Sequence, residues 1–257
     1  MVRRPPRSGR WGYVLKMPAQ RLFLSAANPL TKNLISFWRL GEANGANRVD
    51  YYGTNTLTNN NTVTQVGGKV GNASQFVAAS SQSLSIADNA SLSTGDIDFT
   101  IVAWVYLDSK AAEGDIIAKD ASGQREYNLR YVSVGDRFNF TVSNDGTATT
   151  SLDASTLGSP STSTWYFLVA WHDSIANTIN IQANDGTVDS VAHTTGVFDG
   201  TAAFGIGTST FANTFFDGRI DAVGFWKRVL SSSERSFLYN SGNGIELRGE
   251  YLWGIGP

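Results

Sequence analysis

The sequence predicts an all-β fold, an antiparallel two-sheet sandwich, on three observations. Short apolar runs alternate with Gly, Asn, Asp and Ser turns from residue 34 to residue 226. Only one segment carries the signals of a helix, and it follows the last of those runs. At 257 residues, 41% hydrophobic and 16% charged, the chain is long and apolar enough for one large core.

The elements justify themselves in order. Leu34 to Leu40 (LISFWRL) is the first run and Leu84 to Ile86 the next. Phe99 to Leu107 (FTIVAWVYL) is long, β-branched and aromatic, which predicts a central strand covered on both faces. Tyr127 to Val134 and Phe138 to Val142 flank Gly135-Asp136, a hairpin signal. Trp165 to Trp171 is a second buried run, Ile179 to Gln182 alternates, and Gly218 to Trp226 closes the series. Asn-Asp-Gly-Thr occurs twice, at 144–147 and 184–187, each time after an alternating strand. Asp-Gly there supplies the positive φ of a tight hairpin. The helix starts at Ser231-Ser232-Ser233-Glu234, a capping box, and stops at Asn240, Gly242 and Gly244.

These stretches carry a family resemblance. Residues 33–42 (NLISFWRLGE), 68–76 (GKVGNASQF), 83–104, the run from Trp165, 216–221 (FDGRID) and 228–242 (RVLSSSERSFLYNSG) occur in an order that resembles the laminin-G-like, concanavalin-A-like lectin/glucanase sandwich. The resemblance covers about residues 33–246 and implies a jelly-roll sandwich. It implies less about activity, since this sandwich hosts lectins, glucanases, adhesins and virion proteins.

Catalytic readings find little to stand on. Glucanases of this fold carry two Glu on one strand, and retaining hydrolysis needs carboxyls about 5 Å apart. Here the six Glu (42, 113, 126, 234, 246 and 250) are scattered, and only Glu246 and Glu250 are near neighbours. Asp96 and Asp98 share a strand face but read as turn carboxylates. Thiol chemistry is excluded because the chain has no cysteine, and His172 and His193 are too few for a multi-histidine metal site. No phosphate-binding glycine motif is present. The expectation is no enzyme and no catalytic residue.

Two binding sites follow from the resemblance. Relatives hold a structural calcium near the first and last strands; Asp221 and Glu42 occupy the matching positions and offer hard oxygen ligands. The family's usual loop is altered here to Asp50-Tyr51-Tyr52-Gly53-Thr54-Asn55. The cofactor expectation is therefore none, or one structural calcium. A glycan loop would draw on Tyr51 and Tyr52 as platform and on Asn59, Asn60 and Asn61 as hydrogen-bonding amides.

Charge divides the chain. Residues 1–32 hold seven basic side chains and no acid, leaving 13 Lys/Arg against 22 Asp/Glu in residues 33–257. Such asymmetry predicts that the arm touches something the acidic body does not. Nucleic acid fits the arm but is repelled by the body, and Pro5, Pro6, Gly9, Gly12 and Pro18 prevent an amphipathic membrane helix. Docking onto an acidic protein surface remains, through Arg3, Arg4, Arg7, Arg10, Trp11, Tyr13, Arg21 and Phe23. The arm has no uninterrupted apolar stretch of signal-peptide length. The expected organisation is a docking arm (1–32), a sandwich (33–246) and an apolar tail (247–257). The expected role is a non-enzymatic virion component, a capsid decoration or fibre-type protein. It would be made in a host cytoplasm and fastened by its arm to a capsid shell or to neighbouring copies, as a homo-oligomer. The alternative is a carbohydrate-binding module or adhesin on cell-surface glycans, extracellular or at a cell surface.

Overall fold

The computed structural model describes residues 20–24, 28–211 and 213–249. Its strands are β1 (Gln20–Leu24), β2 (Leu34–Trp38), β3 (Thr58–Asn60), β4 (Thr64–Gly67), β5 (Asn72–Phe76), β6 (Ser83–Ile86), β7 (Phe99–Leu107), β8 (Gly114–Lys119) and β9 (Tyr127–Val132). There follow β10 (Arg137–Ser143), β11 (Thr149–Asp153), β12 (Trp165–Asp173), β13 (Thr178–Ala183), β14 (Asp189–Ala192), β15 (Phe204–Ile206) and β16 (Gly218–Trp226). A helix, α1 (Ser232–Tyr239), and β17 (Ile245–Gly249) complete the series.

Two antiparallel sheets form the sandwich. One runs β11-β10-β9-β8-β15-β6-β3 and the other β14-β13-β12-β7-β16-β5-β4. β16 is shared: Gly218 to Ile220 pair with β5, and Val223 to Trp226 pair with β2. Alternation explains the layering. Phe99, Ile101, Ala103, Val105 and Leu107 of β7 join the core between the sheets, with Phe138, Phe140 and Val142 of β10. Val102 and Trp104 point the other way, into a second cluster with Phe167, Val169, Trp171 and Trp226. Leu238 of α1 and Ile245 and Leu247 of β17 join that cluster. The central strand is thus covered on both faces, as its composition predicts.

Local expectations resolve in detail. The capping box at α1 is complete: Ser231 Oγ accepts from Glu234 N at 3.3 Å, and the Glu234 carboxylate accepts from Ser231 N at 2.8 Å. The 144–147 hairpin takes its positive φ at Gly146, but at 184–187 it is Asn184 and Asp185 that are left-handed. Asn and Asp tolerate that region, so the glycine is not needed for it there. β9 stops at Val132, and Val134 lies 92% exposed in the turn.

The expected boundaries at residues 32 and 246 fall within paired or packed segments. β1 pairs in parallel with β17, so residues 20–24 and 247–249 belong to the folded body. Leu30 is 4% exposed within the second cluster, its carbonyl accepts from Trp226 Nε1 at 2.7 Å, and Lys32 O accepts from Arg228 at 2.7 Å. Charge places the boundary at residue 32, whereas residues 20–24 already pair with β17 and Leu30 is already buried. Arg21 and Phe23 therefore sit in a strand of the body. Arg3, Arg4, Arg7, Arg10, Trp11 and Tyr13 lie outside the described residues.

Candidate functional site

The expected glycan loop does not assemble. Asp50 organises residues 50–55 by accepting from the backbone N–H groups of Phe37, Tyr52, Gly53 and Asn55. Tyr51 then lies under the Arg39 guanidinium, 5.1 Å away, and Tyr52 donates its hydroxyl to Thr31 O. Tyr51, Arg39, Gly41, Gly71 and Asn72 line a cleft of ≈ 300 Å³. Asn59 and Asn60 instead sit on β3 of the other sheet, with their amides already used. Asn59 bonds Ala46 O and Val63 O, Asn60 bonds the hydroxyls of Ser83 and Ser85, and Asn61 bonds Ser81 O.

The two expected calcium ligands, Asp221 and Glu42, each keep one buried oxygen without a hydrogen-bond partner, among N–H groups and guanidinium charges. Asp221 Oδ2 accepts from Val70 N at 2.7 Å, and the backbone N–H groups of Lys69 and Ala222 also bond the carboxyl. Asp221 Oδ1 is buried without a hydrogen-bond partner. Burial pushes this carboxyl up to about 8, against those donors and the nearby Arg39 charge. N–H dipoles and a guanidinium favour an anion or an acid at this point, and repel a cation. Glu42 Oε1 accepts from Val49 N at 3.0 Å, while Oε2 is buried without a hydrogen-bond partner, 3.7 Å from Arg48 Nε. Among the described residues, no three His, Asp or Glu side chains converge on one point.

A built polar surface lies elsewhere, on the outward face of β8 to β11. Inward positions here are Tyr127, Leu129, Tyr131, Phe138, Phe140 and Val142. The alternate positions pair in register across the strands: Asp115 with Arg130, Arg130 with Asn139, and Asn139 with Asp153. The next row pairs Ala118 with Asn128, Asn128 with Thr141, and Thr141 with Ser151.

This face has two tiers. Asp115, Asp120, Asn128, Asn139 and Thr141 form the buried tier, each no more than 5% exposed. Asn128 Nδ2 donates to Asp115 Oδ1 at 2.6 Å and to Asp120 Oδ2 at 3.3 Å, while Thr214 donates to Asp115 Oδ2. Arg125 grips Asp120 through Nε at 3.0 Å. Burial still raises the Asp120 carboxyl, with Arg125 and Asn128 pulling it back down. Asn128 Oδ1 is left as an unmet buried acceptor.

The upper tier is held by the lower one. Asn139 accepts from Arg130 Nε at 3.4 Å and donates to Asp153 at 2.7 Å; Thr141 and Ser151 hydroxyls are 2.8 Å apart. The loop between β15 and β16 folds over the edge, with Thr210 donating to Asp120 O. It carries Phe211, 46% exposed, whose ring lies 4.2 Å from the Arg125 guanidinium. The surface thus sets guanidinium donors, a hydroxyl, a carboxylate and a phenyl face side by side.

The sequence reasoning missed this face, although the alternation of Asn128, Arg130, Asn139 and Thr141 with buried aromatics was there to be read. Asp98 has a local role, accepting from Ser174 N and Oγ at 2.8 Å. His172 is fully buried, with Nδ1 2.9 Å from Ile97 O, and edges onto His193. Both histidines are structural.

Comparison with known proteins gives the fold relatives. Residues 78–234 match the sequence profile described as the concanavalin A-like lectin/glucanases superfamily. No curated protein sequence matches the chain. Among solved structures, it is similar to the binding domain of Paraclostridial Mosquitocidal Protein 1, with TM-score 0.65 and 17% identity over 82% of this chain and 52% of that one. It is similar to domain 4 of AbnA, a GH43 extracellular arabinanase from Geobacillus stearothermophilus solved with arabinotriose, with TM-score 0.61 and 18% identity, covering 82% and 98%. The binding domain of botulinum neurotoxin DC, solved with rat synaptotagmin II, gives TM-score 0.63 and 12% identity, covering 81% and 52%. The chain spans about half the length of the two toxin chains, and nearly all of the arabinanase domain.

Proposed function

The chain belongs to the concanavalin A-like lectin/glucanases superfamily, and from that premise we propose that it is a non-catalytic, lectin-like protein binding a glycan on the outward face of β8 to β11. The observation that carries this reading is the two-tiered polar surface, where Asn139 holds Asp153 and touches Arg130, and Arg125 lies against Phe211. A sugar presents hydroxyls that both donate and accept, beside an apolar ring face, and this surface offers the complement of each. The arabinotriose held by the similar arabinanase domain supports the ligand class. Catalysis is not part of the reading: Asp115 and Asp120 are tied by Thr214, Asn128 and Arg125, which leaves neither free to transfer a proton to substrate.

A glycan array tests this with the wild type and Arg130→Ala. Arg130 is part-exposed and held only by a 3.4 Å bond and a 4.0 Å ion pair with Glu113, so its loss leaves the fold intact. The reading requires array signals that fall at least tenfold in the variant. A protein that binds no glycan, or a variant that binds equally well, refutes it.

A second reading concerns assembly. The concentration of basic residues in the first part of the sequence supports a fastening arm ahead of β1. In this reading the sandwich is displayed on a particle such as a virion. Otherwise it acts at a cell surface or in the extracellular space. Among the described residues, no helix is long and apolar enough to cross a membrane. Limited trypsin digestion of the isolated protein and of its assembly tests the arm: cleavage in the first and protection in the second is the expected result, and equal protection in both refutes it.

A further inference from the structure

The outward face of the other sheet carries a second in-register row that the polar face of β8 to β11 does not involve. Trp165 on β12 pairs with Tyr106 on β7, Tyr106 with Arg219 on β16, and Arg219 with Gln75 on β5. All four side chains are partly exposed, and Tyr106 lies two residues along β7 from Trp104, on which Tyr239 of α1 stacks. The ring centroids of Trp165 and Tyr106 are 5.4 Å apart, and the Arg219 guanidinium sits 4.5 Å from the Tyr106 centroid.

Polar groups complete the row. Gln75 accepts from Arg219 Nε at 3.1 Å and donates to Asp108 Oδ2 at 2.6 Å. Asp108 Oδ1 stands 3.9 Å from Arg219 Nε. Among the described residues, the two terminal nitrogens of Arg219 and Asp108 Oδ1 have no hydrogen-bond partner. Gln75 thus holds a guanidinium and a carboxylate beside two aromatic rings tilted 56° to each other, and only a long 3.9 Å ion contact links Arg219 to Asp108.

We propose that Trp165, Tyr106, Arg219 and Asp108 form a second saccharide-binding site, on the sheet opposite the first, for a neutral oligosaccharide. The C–H face of a pyranose ring is electropositive and matches the negative face of an aromatic ring. Neighbouring hydroxyls can accept from Arg219 and donate to Asp108. Arg219 and Asp108 offset each other in charge, so the site selects no acidic sugar. Three strand spacings separate Trp165 from Gln75, about 14 Å, which a di- or trisaccharide spans. Trp, Tyr and Arg are also the residue types of protein interfaces, but here Gln75 and Asp108 set hydrogen-bonding groups beside the two rings. Two glycan sites on opposite faces would let one copy bridge two chains or engage a glycan surface multivalently.

The test follows the tryptophan indole N–H signals by NMR during titration with maltotriose, cellotriose and mannotriose, with Trp165→Phe assigning the Trp165 signal. The expected result is a saturable shift of that signal by at least one trisaccharide. The apparent affinity should weaken at least tenfold in Arg219→Ala and in Asp108→Ala, and stay unchanged in Arg130→Ala/Asp153→Ala. Silence of the Trp165 signal with all three sugars overturns the proposal. So does an unchanged affinity in both Arg219→Ala and Asp108→Ala, or a response only to a protein partner. Loss confined to Arg130→Ala/Asp153→Ala would assign the binding to the first site and overturn this one alone.

Discussion

Replacing Lys119 by methionine should be among the most damaging single changes to this fold. The side chain is fully buried, with Nζ 2.8 Å from Glu126 Oε2 and 2.9 Å from Asp88 Oδ1. It also donates to Gly200 O. Glu126 is itself fully buried, and its other oxygen accepts from Thr94 N and, at 2.7 Å, from Thr94 Oγ1. Lys119 thereby ties three loops together, including the one that carries Asp120 and Arg125 to the polar face. Removing one partner of a buried pair typically costs about 3–5 kcal/mol, because the other charge is stranded. For a domain of this size that lowers Tm by roughly 6–20 °C. The sign with pH follows from Glu126. Burial raises its carboxyl, and Lys119 holds it down. Without Lys119 the folded-state value climbs further above the unfolded one, so the loss is small near pH 4 and grows as pH rises. Urea unfolding at pH 5 and pH 8 measures this. Lys119→Met/Glu126→Gln should regain more than half of the loss at pH 8. A single variant within about 1 kcal/mol of wild type at pH 8, or a double variant as unstable as the single, would refute the reasoning.

Three further outcomes follow from buried or capping groups. Burial raises Asp221 to about 8, so the native state keeps a proton that the unfolded chain releases near pH 4. Wild-type stability should therefore decline relative to Asp221→Asn as pH rises from 5 to 8, by at most about 1.4 kcal/mol per pH unit; parallel urea curves at all pH values would contradict this. Because N–H donors surround Asp221 and Arg48 lies beside Glu42, added calcium should leave Tm unchanged; a calcium-dependent rise that disappears in Asp221→Asn would reinstate the metal site. Ser231→Ala breaks the capping box of α1 and should cost about 0.5–2 kcal/mol in chemical denaturation, with a change below that range counting against the cap.

Much of the fold was legible because its central strands are written in residues that fit only a buried sheet. β7, β12 and β16 each appear as long apolar runs, and α1 announces itself by its capping box. Edge strands were less legible: TNN in β3, TQVG in β4 and DSVA in β14 bury little and carry no apolar pattern. β8 was hidden for another reason. A register shift between Asp115 and Ile117 turns both Ile116 and Ile117 into the core, which breaks the period of two. The site was harder still. Tyr51 and Asn59 are close in sequence, yet a change of sheet separates them. Arg125 and Phe211 meet only because the loop before β16 folds back over the face. Long-range pairing of this kind leaves no local mark.

The most direct test of the account maps backbone amide shifts in the labelled protein while a glycan identified on the array is titrated in. The account predicts saturable shifts at Arg130, Ser151, Asp153 and Phe211, lost in Arg130→Ala. Shifts that leave all four unmoved, and cluster instead around Tyr51 and Asn72 or nowhere, would contradict it.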